Sequence, residues 1–168
     1  MPRRCLGSVA HSGPDGSGQW QDDMVGSTIW LAHSRLAILD PIPIGAQSMI
    51  SANGRFAISF SGEIYNFAEI RTELTKLGYV FRTRTDTEVI LNAWDRWGSD
   101  ALSRMRGMFA FALWDRSKRH LWLARDRMGE KPMYYHAGPR RLLFASSVTA
   151  LLASAAIERR MDSYPNII

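Results

Sequence analysis

Three short stretches carry side chains whose types and spacing could do chemistry on a small polar molecule. The first is Ser61-Gly62-Glu63-Ile64-Tyr65-Asn66, placed by the surrounding pattern at the end of a strand and the start of a helix. A glycine there lets backbone approach a ligand closely, and amides near a helix N-terminus favour negative charge. Glu63 adds a carboxylate able to hold an ammonium group. The second stretch, Thr85-Asp86-Thr87, offers another carboxylate in a turn. In the third, Leu31-Ala32-His33-Ser34-Arg35-Leu36, a guanidinium interrupts an apolar, β-rich run. A charge so placed requires a partner, either an internal carboxylate or a carboxylate ligand. One guanidinium with two carboxylates suits a zwitterionic amino acid, Arg35 taking the carboxylate and the acids the amine. Plainer readings stand beside this one: a structural turn with a solvated Glu63, and a helix cap for Asp86.

Other chemistries find little to work with. His11, His33, His120 and His136 lack metal-ligand spacing, and the single cysteine, Cys5, cannot supplement them, so no metal site is expected. The glycine-rich run Gly13-Pro14-Asp15-Gly16-Ser17-Gly18 has no lysine to make a phosphate loop. One cysteine also rules out an intramolecular disulfide, and no signal-like apolar segment follows Pro2-Arg3-Arg4, which favours a cytoplasmic setting.

The elements that must position these residues are legible in outline. The first two dozen residues, rich in Gly, Ser and Asp, read as loop and turn. Thr28 to Leu39 reads as β-rich, ended by Pro41 and Pro43. Arg55 to Phe60 suits a strand, followed by a helix with a capping box at Asn66 and Glu69 and apolar positions at Phe67, Ile70, Leu74 and Leu77. A second helix, capped by Asp86 and stopped by Gly98, aligns Val89, Ile90, Ala93, Trp94 and Trp97. Met108 to Trp114 is a buried-strand run, Asp115 to Lys118 its turn and His120 to Ala124 the return. Met133 to Tyr135 and Leu142 to Phe144 flank a turn at Gly138-Pro139, and Ser146 to Ala153 suggests a short closing helix.

Strands grouped around a helical block favour an α+β architecture over an alternating parallel sheet. At 168 residues, 46% hydrophobic and 22% charged, the chain has the composition of one soluble domain and of neither a disordered nor a membrane-spanning protein. The formal charge is 21 − 16 = +5, but the basic residues are scattered in ones and twos. No basic stripe marks a nucleic-acid or membrane partner, so neither is expected.

Taken together and in order, His11 to Gly16, Leu31 to Asp40, Ser61 to Asn66, Thr85 to Val89, Gly107 to Asp115 and Ala124 to Tyr135 form a set. That set closely resembles the class II glutamine amidotransferase domain of glutamine-hydrolysing asparagine synthetase, from about His11 to Leu152. The resemblance implies a four-layer α/β/β/α sandwich of two antiparallel sheets, of the N-terminal-nucleophile hydrolase type. It implies a domain over residues 1–154 that hydrolyses glutamine to glutamate and ammonia. Residues 155–168 would then begin the linker to a synthetase domain, which uses ATP and magnesium to turn aspartate into asparagine. This stretch of chain would need no cofactor. Its expected partners are L-glutamine, the synthetase domain and a second copy in a homodimer. By position, Arg35 should hold the glutamine carboxylate, Glu63 and Asp86 its amine, and Ser61 and Gly62 should form the oxyanion hole.

The sequence also departs from that family. The family's nucleophile is an N-terminal cysteine activated by its own amine, whereas position 2 here is Pro. Cys5 lies six residues before His11, far closer than the family spacing, and is followed by Leu6 rather than glycine. The expectation is a chain that begins inside the domain, lacks the first strand and has no catalytic residue of its own. Isolated, it would be inactive; the alternative is a catalytically silent glutamine-binding or interaction module, or a pseudogene-like fragment. Ser61 replaces a common asparagine, Ser12 an arginine and Val148 a glutamate. Amidotransferases that make phosphoribosylamine, glucosamine phosphate or glutamate share the fold; Gly107 to Asp115 and Arg125 to Tyr135 point to the asparagine synthetase branch, with β-lactam-forming relatives as the alternative.

Overall fold

The computed structural model describes residues 16–24, 26–35, 48–154 and 157. Strands β1 (Gly16–Met24) and β2 (Ser27–Arg35) form an antiparallel pair, in register from Gly16 opposite Arg35 to Met24 opposite Ser27. A four-stranded antiparallel sheet follows in the order β3 (Met49–Ile50), β4 (Phe56–Ile64), β5 (Gly107–Asp115), β6 (His120–Arg125). Between β4 and β5 lie the helices α1 (Phe67–Lys76), α2 (Asp86–Trp97) and α3 (Ala101–Arg104). The chain then forms the hairpin β7 (Tyr134–Gly138) and β8 (Arg141–Ala145), against which α4 (Val148–Ala153) packs.

Two apolar clusters, one on each face of the four-stranded sheet, stack these elements. On one face Ile58, Phe60 and Ile64 of β4 and Phe109, Phe111 and Leu113 of β5 meet Ile70 and Leu74 of α1 and Val89, Ile90 and Trp94 of α2. On the other, Ala57, Ala112 and Trp114 meet Leu31 of β2, with Trp20, Ile29 and Phe144 packed at the margin. β5 is hydrogen-bonded on both edges and covered on both faces. Hence it reads as an almost unbroken apolar run rather than an alternation. The result is the α+β sandwich expected, with helices and sheet and a second set of strands in layers.

Several local expectations change. The opening glycine-rich segment is strand from Gly16 onward, because β2 supplies its ladder partner. His33-Ser34-Arg35 does not break β2 but continues it, Arg35 being its last residue. β4 runs on to Ile64, so Ser61, Gly62 and Glu63 lie in the strand rather than in a turn. Thr85, not Asp86, caps α2, its side chain accepting the Glu88 N–H. Asn66 stands at the N-cap of α1 without a side-chain cap bond, so no capping box forms. The segment 1–15 with Cys5 and His11, residues 36–47, and the tail beyond 154 apart from 157 lie outside the described residues.

Candidate site on β4 and the head of α2

Alternation along β4 sorts the site. Phe60 and Ile64 belong to the helix-side cluster, and Gly62 shares their face. Ser61 and Glu63 fall on the other face with Ala57, which meets Leu31 of β2. There the Ser59 hydroxyl donates to the Ala32 carbonyl of β2 at 3.2 Å. Arg35 ends the same strand three residues beyond Ala32. Its backbone is paired opposite Gly16, and its side chain lies outside the described residues.

Gly62 can be nothing larger. Its φ is +135°, and a Cβ there would stand 2.1 Å from the Met108 carbonyl oxygen and 2.7 Å from Phe109 Cα. Two rungs along and across the ladder, a Cβ on Gly107 would stand 2.1 Å from the Glu63 carbonyl oxygen. The two strands are pinched together around Glu63 by a glycine on each.

Asp86 reaches this strip from the first turn of α2. It is 6% exposed, and its carboxylate accepts the Ile64 N–H at 3.1 Å. Burial raises its pKa above the ordinary value, against the pull of the Ile64, Thr87 and own-backbone N–H groups, and the nearby Glu63 charge adds to the rise. A buried carboxylate that accepts the N–H of the residue following a second acid carries its charge at a cost that a bound cation would offset. Such a pair is chemically suited to an ammonium group.

The structure therefore sets Asp86 against the end of the strand that carries Ser61, Gly62 and Glu63, with Ser61 and Glu63 on the face opposite Gly62. Arg35 is placed by its backbone only. Residues overlooked in the sequence are Gly107, whose signal was its position at the head of an apolar strand, and Asp126. The Asp126 carboxylate accepts N–H groups from Phe109, Glu130 and Lys131 at 3.2, 2.9 and 3.0 Å. These amides, Lys131 first, hold its pKa down to about 2. Among the described residues no three His, Cys, Asp or Glu side chains are arranged to hold a metal, and no helix is long and apolar enough to cross a membrane.

Known proteins resemble this chain in sequence and fold. The family model described as a glutamine amidotransferase domain matches residues 2–165. Asparagine synthetase (glutamine-hydrolyzing) 3 of Bacillus subtilis is 36% identical over 161 residues, covering 95% of this chain and 25% of that protein. A putative asparagine synthetase (glutamine-hydrolyzing) of Mycobacterium tuberculosis is 42% identical over 153 residues, 86% of this chain and 23% of that one. The chain thus spans about a quarter of the curated relatives it matches. Among solved structures, glutamine phosphoribosylpyrophosphate amidotransferase from B. subtilis superposes with a TM-score of 0.75 at 20% identity, covering 90% of this chain and 40% of that one.

Proposed function

The chain belongs to the glutamine amidotransferase domain family, and from that premise we propose that the β4–α2 site binds L-glutamine for transfer of its amide nitrogen. The observation that carries the reading is buried Asp86, whose carboxylate accepts the Ile64 N–H next to Glu63 on the strand pinched at Gly62. Glu63 and Asp86 take the α-ammonium, which neutralises the carboxylate that burial disfavours. Arg35 takes the α-carboxylate through a charge-assisted, two-pronged contact. The Ser61-Gly62 segment donates to the oxygen that becomes negative when the side-chain amide is attacked. A serine hydroxyl can donate as an amide would, so Ser61 fits that role.

Hydrolysis needs a thiol to attack the amide carbon, release ammonia and then lose glutamate to water. We assign that role to no described residue, and not to Cys5, whose neighbour Leu6 departs from the family pattern. On this reading the chain by itself binds glutamine without turning it over. The ammonia then passes to a synthetase domain that makes asparagine, a destination supported by relatives named as glutamine-hydrolysing asparagine synthetases; the use of aspartate, ATP and magnesium there follows from the family resemblance.

Calorimetry with L-glutamine tests the site. Loss of a hydrogen-bonded charge partner typically costs 2–5 kcal/mol, so Arg35→Ala is expected to weaken binding by at least about thirtyfold. Unchanged affinity would remove Arg35 from the site. Ammonia release that disappears in Cys5→Ala would overturn the assignment of the thiol.

A further inference from the structure

Asn66 closes the Ser61-to-Asn66 motif, yet neither the glutamine roles nor the helix cap uses it. Its side chain turns away from α1, whose N-cap position it occupies. Instead Asn66 Nδ2 donates to the Arg104 carbonyl at 2.9 Å, and Asn66 Oδ1 accepts the Arg106 N–H at 2.8 Å. Arg104 is the last residue of α3, where a helix leaves carbonyls without partners. The residue before Asn66 makes the matching backbone bond, Tyr65 N–H to the Arg106 carbonyl at 2.7 Å.

These three bonds continue the β4–β5 ladder past its last formal pair, Ile64 opposite Gly107. The carboxamide, with one donor and one acceptor in a plane, stands in for the next peptide of β4. It grips both residues that flank Met105, and Arg106 leads directly into Gly107. Gly107 in turn is the residue pressed against the Glu63 carbonyl.

We infer that Asn66 is a positioning residue: by clamping 104–106 it holds Gly107 against Glu63 and so fixes the strip Gly62-Glu63-Ile64. That strip carries one ammonium-binding carboxylate, the amide that orients the other, and the glycine of the oxyanion hole. The inference rests on the glutamine reading for its consequence, but its geometry stands without ligand.

The experiment compares Asn66→Ala with Asp95→Ala. The latter also removes two side-chain hydrogen bonds, from Tyr79 and Asn53, at the far end of α2. In the unliganded chain, amide hydrogen exchange at Glu63 and Ile64 should quicken in Asn66→Ala and stay as in the parent in Asp95→Ala, while Ala57 and Ile58 are unchanged in both. Glutamine affinity should fall by about tenfold or more in Asn66→Ala, the scale of two lost hydrogen bonds. In Asp95→Ala it should hold even where thermal stability has dropped as far. Asn66→Asp, which keeps the acceptor for Arg106 and loses the donor to Arg104, should lie between. Unaltered exchange at Glu63 and Ile64 overturns the inference, as does altered exchange with unaltered affinity. If the parent chain binds no glutamine, the site reading falls, and the exchange pattern alone decides for or against the clamp.

Discussion

Asp86 is the residue in which the proposed function and stability pull apart. Its folded pKa lies above the ordinary 3.8, chiefly because burial disfavours the charge. Between 3.8 and that raised value the folded chain holds the proton more tightly than the unfolded one, so stability falls as pH climbs through the window. Asp86→Asn removes the buried charge and keeps an oxygen to accept the Ile64 N–H. At neutral pH the variant is expected to be more stable, on the order of 1 kcal/mol, while losing glutamine affinity. The stability gap should close below pH 3.8, where the native carboxyl is protonated folded or unfolded. Thermal unfolding at both pH values checks this; a variant less stable at neutral pH, by a margin that acid leaves alone, refutes it. Glu63, Asp86 and Arg35 were suggested as a site by residue type alone, each offering one obvious partner to a zwitterion, and their roles stand as proposals. Asp126 was not: its work is to collect amides from Phe109 and from a loop 130–131, and no local spacing announces that.

At the scale of elements, legibility followed how local the deciding forces are. α2 announced itself through Val89, Ile90, Ala93 and Trp94, which pack in the helix-side cluster as the spacing requires. The β5–β6 hairpin was equally clear, its turn held by Asp115, which accepts the Ser117 and Lys118 N–H groups at 3.0 and 3.1 Å. β1 was hidden because Gly16, Gly18, Asp22 and Asp23 favour turns, and only pairing with β2 makes a strand of them. The Asn66 cap failed for a related reason. A side chain that suits a helix start had better-placed partners 38 and 40 residues along the chain. The length of β4 was underestimated because Ser61, Gly62 and Glu63 break the apolar alternation that marks a strand.

At the scale of the whole molecule, Asp22 of β1 makes a polar contact that joins the two sets of strands. Its carboxylate accepts the buried Trp114 indole N–H of β5 at 3.0 Å and a guanidinium N–H of Arg116 at 3.3 Å. The indole bond is the main influence holding its pKa below the ordinary value. Asp22→Ala would strand the Trp114 donor inside the second cluster, an expected loss of about 1–3 kcal/mol. Asp22→Asn, which still offers an acceptor, should lose less. Urea denaturation of the two variants measures the difference, and equal losses would show that the indole bond is not the cause. The glycines at 62 and 107 carry a consequence on this scale too, for which sequences can inherit this fold. A methyl group at either one must push apart the single rung, Glu63 opposite Met108, that lies between them. Once that rung has opened, the second position is already relieved. Gly62→Ala and Gly107→Ala should therefore cost less together than the sum of their separate effects, which a double-mutant cycle would read directly. Such epistasis works as a ratchet: a lineage that gives up one glycine loses the selective reason to keep the other.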